Sequence, residues 1–324
     1  MFLLPPRTVP DKIALALAAA AVAAFGCVAY GIFIERRWYR RRSYRLPLLP
    51  SGAPKSLTLL HLSDLHFTAK DRKKARFIAS FGRPDVAVLT GDIIGAPEAV
   101  ETAVEALRAV RGRIASYFVL GSNDYFAPRP LNYFSYFRRE RRRRTAKRSR
   151  ASDLVAQLER EGWIHLKNRK ARFEEDGIRF EVLGLDDPHI ERHDLRVGSR
   201  SDLSAVGLAF VHSPDPAPEL AALGYGLILS GHTHGGQVRL PFAGALITNS
   251  QVPRKLAMGL SRLGPALLHV SPGLGTSKFA PFRFLCRPEV TLLELTASPE
   301  DRPDRDQRLA EVAAEATTRS NTRS

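Results

Sequence analysis

Five short polar stretches between residues 64 and 236 each follow an apolar run: Asp64-Leu65-His66, Gly91-Asp92, Gly121-Ser122-Asn123-Asp124, His212, and Gly231-His232-Thr233-His234-Gly235-Gly236. Apolar runs bounded by glycine and polar residues read as buried strands. They fall at 57–62, 86–89, 117–120, 180–183, 208–211, 227–229, 266–270 and 290–295. Helical spacing of apolar residues lies between several of them, over 99–110 and over 153–161 after a candidate N-cap at Ser152. Strands alternating with helices predict a layered α/β domain, and the closer spacing of the later strands predicts mixed sheets. Oxygen and imidazole ligands would then gather at strand ends, the arrangement from which a two-metal site is built.

The stretches differ in weight. Asp64 and His66 lie two apart, on one side of an extended segment, where a carboxylate and an imidazole can chelate one ion. Alone, that spacing is common. Asp92 after glycine could bridge two ions, although Gly-Asp also makes ordinary turns. The paired imidazoles of His232 and His234, set among three glycines after 227–229, are the most specific signal. His212, ending its own run, would alone read as a structural histidine.

Taken together, the order DxH, GD, an asparagine loop, a lone His and GHxH resembles the calcineurin-like metallophosphoesterase superfamily. The LHLSDLH and SGHTHGGQVRLP segments are most similar to its bacterial membrane-associated, phosphodiesterase-like members. The resemblance spans residues 57–295. It implies two mixed β-sheets sandwiched between helices and a dinuclear centre at the strand ends. Carried over by position, one ion takes Asp64, His66, Asp92 and His234; the second takes the bridging Asp92, Asn123, His212 and His232. Mixed O/N donors suit two divalent ions such as Mn²⁺, Fe or Zn²⁺. The family's loop reads Gly-Asn-His-Asp or Gly-Asn-His-Glu, whereas this chain has Gly121-Ser122-Asn123-Asp124. A gapless alignment puts Ser122 at the ligand position and Asn123 at the histidine position. A shift of one residue makes Asn123 the ligand, which we adopt, and puts Asp124 where the histidine stood. Either way the family's histidine is missing, so leaving-group protonation falls to Asp124, water or another residue. Asp92, Asn123, Asp124 and His232 are therefore the expected catalytic set. Asp187 and His189, in a Gly-Leu-Asp-Asp-Pro-His loop, are candidate substrate-binding residues, against the plainer reading of an Asx turn. Asn249 and residues 273–278 are candidate pocket lining; the latter lack a phosphate-binding GxxxxGKS pattern.

Outside the domain, residues 13–34 form 22 consecutive uncharged, apolar positions, enough to span a bilayer core as a helix. Glu35-Arg36-Arg37-Trp38-Tyr39-Arg40 and further arginines follow, against only Arg7 and Lys12 before it. That asymmetry predicts a single-pass anchor in the cell membrane with the catalytic part in the cytoplasm, against the plainer reading of an export signal and a weaker lipoprotein reading through Gly26-Cys27. The net charge of +16 is local: six arginines at 36–45 and nine basic residues with one acid at 138–150 account for +14. Both runs are expected to contact the membrane surface, where each basic residue gains about 1 kcal/mol from anionic lipid, against the plainer reading of the 127–150 insert as a solvated surface loop. No nucleic-acid recognition fold accompanies them and no protein partner is indicated. Cys27 and Cys286 form no CxxC pair. The expected organisation is a short tail at 1–12, the membrane helix at 13–34, a basic and Pro-rich linker at 35–56, the metallophosphoesterase domain at 57–297 with a basic insert at 127–150, and a disordered tail at 298–324. The expected activity is hydrolysis of phosphodiesters or phosphomonoesters by metal-activated water, on a lipid-linked or envelope-precursor substrate. Two rivals are a weakly catalytic metal-binding scaffold, prompted by the altered 121–125 loop, and a nuclease, prompted by the basic runs.

Overall fold

The computed structural model describes residues 9–128 and 148–299. The tails at 1–8 and 300–324 and most of the basic insert, 129–147, lie outside the described residues. The chain enters as α1 (Val9–Phe33), followed by β1 (Arg40–Leu49) and β2 (Leu57–Leu62). Then come α2 (Arg72–Ala79), β3 (Val86–Thr90), α3 (Val100–Arg108), β4 (Ala115–Val119), the single turn α4 (Ser122–Tyr125), α5 (Ala151–Arg160) and β5 (Ile164–His165). The second half runs through β6 (Arg169–Glu175), β7 (Ile178–Gly184), β8 (Val206–Phe210), α6 (Ala217–Ala222) and β9 (Leu227–Ser230). It closes with β10 (Arg239–Leu240), β11 (Gly244–Ala245), β12 (Gly259–Leu263), β13 (Ala266–Val270) and β14 (Glu289–Ala297).

Two six-stranded sheets form, ordered β1-β14-β2-β3-β4-β5 and β12-β13-β9-β8-β7-β6, with β10 and β11 as a separate hairpin. Both sheets are mixed. β2 to β5 run parallel, as do β13, β9, β8 and β7, while β14 on β2, β12 on β13 and β6 on β7 are antiparallel. Alternation along each strand feeds two faces. Leu59, Val86, Val88 and Tyr117 meet Phe180, Leu208, Leu227 and Leu267 between the sheets. Leu60, Leu62, Ala87 and Leu89 pack outward onto Ile78, Leu107, Leu154 and Leu158 of α2, α3 and α5. On the other side Ala209, Ile228 and Leu268 pack on Ala217 and Leu220 of α6. The layers are thus helix, sheet, sheet, helix, as expected.

Residues 40–49, placed in the linker on sequence, form edge strand β1, paired parallel with β14. The strand hides its pattern behind arginines: Leu46, Leu48 and Leu49 are buried, while Arg40 and Arg45 pair with Glu289 and Glu294 of β14 at 2.7 and 3.0 Å, and Arg42 lies 3.5 Å from Glu289. Pro47 is tolerated because it sits on an edge, where a register shift also falls. Half of the 36–45 arginine run is therefore directed at carboxylates of its own domain. Helix α5 begins at Ala151 with Arg150 at its N-cap, rather than after Ser152. α1 belongs to an apolar stretch, 12–37, long enough to cross a membrane, and none of its most apolar window is buried in the protein.

Candidate metal centre

Every ligand candidate sits where a parallel strand ends. β2 delivers Asp64 and His66, β3 Asp92, β4 Asn123, β8 His212, and β9 His232 and His234. The crevice beyond the carboxyl ends of parallel strands is the usual ligand position in such sheets. The chain must turn sharply there. Asp64, His66, Asp92, His232 and His234 all adopt left-handed backbone conformations, φ 46°, 41°, 50°, 68° and 51°. Such conformations cost about 1–2 kcal/mol per non-glycine residue and cluster at functional sites. Gly91 and Gly121 are demanded by contact: a Cβ on either would fall within 3 Å of His212.

The side chains converge into two groups, Asp64–His66–His234 and Asp64–Asp92–His212, each with ligand atoms within 4.8 Å of one another. Asp92 reaches both sets: its Oδ2 lies 3.5 Å from His66 Nε2 and its Oδ1 3.6 Å from His212 Nε2. His66 and His234 oppose their Nε2 atoms at 3.2 Å, and His234 Nε2 lies 3.5 Å from Asp64 Oδ1. Adjacent ligands on one tetrahedral ion with bonds of about 2 Å are separated by about 3.3 Å, so these gaps fit a cation. Asp64 Oδ1 is buried without a hydrogen-bond partner, whereas Oδ2 accepts from Ser63 Oγ at 2.6 Å and His232 N–H at 2.9 Å. A buried acceptor left open toward an imidazole cluster is what a metal ligand requires.

Outer contacts select tautomers. Thr90 O takes the Nδ1–H of His212 at 2.8 Å, turning Nε2 toward Asp92. Asn249 O lies 3.1 Å from His232 Nε2, leaving Nδ1 to face His212 Nε2 at 3.3 Å. Metal-binding histidines are commonly fixed in this way. Burial lowers the pKa of His66 and of His232 to about 4, and that of His234 well below its ordinary value, so these imidazoles are neutral near pH 7. Burial also opposes charge on His212, but Asp92, Asp187 and Asp64 push it up to about 9. Asp92 is held well below the usual carboxylate range: burial is overcome by His212, His66 and the hydrogen bonds from Asn123. Burial raises Asp64 to about 6.

In the altered loop, Asn123 is the residue that reaches Asp92, donating its backbone N–H to Oδ1 at 2.9 Å and its side-chain Nδ2 to Oδ2 at 2.5 Å. Asp124, expected beside water or another residue as a source of the leaving-group proton, has its pKa raised by burial to about 7. It is fully buried, and its oxygens accept backbone N–H groups of Ile93, Ile94 and Gly121 at 2.8, 3.1 and 2.9 Å. It braces the loop after β3 against the loop after β4. Asp187 is buried and accepts the His189 N–H at 2.8 Å, as an Asx turn would. That turn brings the His189 ring against His232, centroids 4.3 Å apart. Sequence reasoning did not single out Ser63, Thr90 or Arg283. Buried Arg283 donates Nη2 to the carbonyls of Pro272 and Gly275 at 2.6 and 2.7 Å and lies 3.4 Å from His234 Nδ1. A lone arginine in Phe282-Arg283-Phe284 carries no local signal for such a place.

The calcineurin-like phosphoesterase family profile matches residues 57–236. The uncharacterized metallophosphoesterase YkuE of Bacillus subtilis is 29% identical over 294 residues, covering 87% of this chain and 94% of that protein. Phosphodiesterase YaeI of Escherichia coli is 25% identical over 86% of this chain and 96% of its own length. The bovine "transmembrane protein with metallophosphoesterase domain" is 30% identical over 75% of this chain and 54% of its own.

Proposed function

Since the chain belongs to the calcineurin-like phosphoesterase family, metal-dependent hydrolases of phosphoric esters that use a dinuclear centre, we propose that it cleaves a phosphodiester or phosphomonoester at a membrane surface. The observation that carries this reading is Asp92, whose two oxygens face one histidine from each ligand group. Asp64, His66, Asp92 and His234 would hold one divalent ion; Asp92, Asn123, His212 and His232 the other. The donors suit Mn²⁺, Fe or Zn²⁺. When bound, such ions supply Lewis acidity that offsets charge on phosphoryl oxygens and make water acidic enough to attack phosphorus near neutral pH.

The residues themselves do the positioning. Asn123 orients Asp92 through two hydrogen bonds. Thr90 and Asn249 carbonyls hold His212 and His232 in the tautomers that present the inward nitrogen. His189, packed on His232, supports a place for the 186–189 loop at the substrate edge, with Asp187 fixing its turn. With Asp124 committed to backbone amides, water supplies the leaving-group proton.

Membrane association is supported by α1 and by relatives named as transmembrane proteins. The arginines after α1 support a cytoplasmic domain, and a tether of this kind favours a lipid-linked substrate. The test is turnover by the purified full chain with Mn²⁺, Fe²⁺ or Zn²⁺ on bis-p-nitrophenyl phosphate, p-nitrophenyl phosphate and single-stranded DNA. Ester hydrolysis is expected, and Asp92→Asn should lower it about 10³-fold, the several kcal/mol that a metal site supplies. Absence of turnover with every metal would replace the enzyme by a scaffold, and cleavage of DNA alone would make it a nuclease.

A further inference from the structure

The β10–β11 hairpin hangs between two residues of the metal centre. It leaves from His234 through Gly235 and Gly236 and returns at Asn249, whose carbonyl holds His232. Its exposed residues are apolar: Leu240, Phe242, Leu246 and Ile247. At the tip, Phe242 is fully exposed and has φ 64°, with the Ala243 N–H closing a tight turn onto Pro241 O at 2.7 Å. A left-handed turn position favours glycine, asparagine or aspartate, and a bulky aromatic there costs about 1–2 kcal/mol. Folding gains nothing from a strained Phe held in water.

The hairpin is also fixed in depth relative to α1. The Arg239 N–H donates to Phe284 O at 2.9 Å, and the Phe284 N–H to Gln237 O at 3.0 Å. The Phe284 ring meets Tyr30 of α1 edge-on at 6.4 Å, and the Arg283 N–H donates to Gly31 O at 3.3 Å. Phe282 lies so close on Gly31 that a Cβ there would be 2.2 Å from its ring. Gly31 stands three residues before the end of the apolar run at Ile34, about 4.5 Å along a helix. The hairpin is therefore laced to α1 at the depth where a bilayer core gives way to headgroups. Around it, Arg254 and Lys255 are exposed. Residues 220–288 contain seven Lys or Arg and no Asp or Glu. An apolar tip flanked by exposed basic residues fits an anionic lipid surface, while the neighbouring carboxylates are engaged within the fold, Asp215 by Ser250 and Gln251 and Glu35 by Leu285 and Cys286.

We propose that this hairpin is a second membrane contact, inserting Phe242 and its apolar neighbours into the leaflet from which α1 emerges. It thereby seats the His232–His234 loop at the level of lipid phosphates, so that the substrate is a phosphoester carried on a membrane lipid. The lipid contact rests on the hairpin's geometry together with the proposed membrane anchoring by α1; the substrate clause rests on the phosphoesterase reading.

The test uses the full chain with Cys27→Ser in nanodiscs of phosphatidylglycerol and phosphatidylethanolamine. Phe242→Cys, or Ile247→Cys if the tip variant does not fold, is labelled with an environment-sensitive nitrobenzoxadiazole. Leu203→Cys is the control, exposed and preceding the start of β8, at the opposite end of that strand from His212. Lipids bearing a doxyl group high on the acyl chain are expected to quench the hairpin label at least twofold and leave the control unchanged. Equal quenching at both positions would overturn the proposal. Asp92→Asn should not alter the result, so a chain that proved inactive would remove the substrate clause while leaving the lipid contact measured in its own right.

Discussion

The carboxylate of Glu35, two residues beyond α1, accepts the backbone N–H of Cys286 at 2.5 Å, joining two residues far apart in sequence. Its other oxygen accepts the Leu285 N–H at 2.9 Å, and the side chain is buried. Cys286 Sγ in turn lies 3.2 Å from His234 O. The end of the helix is thus wired through one short loop to the segment that carries the candidate ligand His234. Hydrogen bonds to a buried charge are worth about 1.5–3 kcal/mol each. Glu35→Ala is expected to lower the thermal midpoint of the detergent-solubilised chain by several degrees and to weaken metal binding, read by titration with Mn²⁺. An unchanged midpoint would show that the helix end is not part of the folded unit.

Asp124 offers a clean separation between a brace and an acid. Asp124→Asn places an amide N–H against backbone N–H donors and should cost about 2 kcal/mol in stability. Because the residue touches no substrate in this reading, the acid and base limbs of the pH–rate profile should stay where they are. Loss of one limb in the variant would return Asp124 to the role of proton donor.

His61 and His269 face each other between the sheets, Nδ1 to Nδ1 at 2.9 Å, and His61 Nε2 lies 2.9 Å from Thr90 Oγ1. Burial pushes His269 down to about 4 and His61 well below its ordinary value. Unfolded histidine protonates near pH 6.5, so the folded state resists a proton that the unfolded state accepts. The stability of this pair is complete above about pH 6.5 and falls as pH drops toward 4, by about 1.4 kcal/mol per unit for each histidine. His269→Gln keeps a hydrogen-bonding partner and cannot charge. Between pH 6.5 and 5 it should lose about 2 kcal/mol less than the parent in urea denaturation. Equal losses would place the acid sensitivity elsewhere.

Sequence periodicity found the strands that matter most for the centre because they are buried on both faces and read as plain apolar runs. Leu57–Leu62, Val86–Thr90 and Leu227–Ser230 are of this kind, and their polar ends named Asp64, Asp92, His232 and His234. β1 escaped notice because arginine occupies its outward and pairing positions and Pro47 mimics a linker. β6 and β12 are half-exposed edges whose polar alternation resembles loop. The part of Asp124 was hidden for a different reason: a carboxylate in a ligand loop looks the same whether it faces substrate or backbone amides. Arg283 and Asn249 act through contacts that only folding creates.

The β1–β14 pairing sets a limit on dissection. A fragment starting at residue 50 lacks Leu46, Leu48 and Leu49, all buried between the sheets, at a cost of roughly 2 kcal/mol per leucine. It also bares the edge of β14, a template for aggregation. Fragment 50–299 is expected to elute as aggregate in size-exclusion chromatography, whereas fragment 38–299 should run as a discrete folded species. Similar behaviour of the two would make β1 dispensable.

The same pairing imposes an order of events during synthesis. β1 leaves the ribosome directly behind the apolar helix, yet its partner is completed only at Ala297, some two hundred and fifty residues later. Contacts of such long separation form late and slowly. With α1 anchored as proposed, the first strand meanwhile waits beside the bilayer, its arginines unmatched by Glu289 and Glu294. Anionic lipid headgroups are the natural temporary partners for those arginines. The membrane would then serve the nascent chain as a holding surface, keeping an unpaired edge from meeting another chain until the last strand arrives.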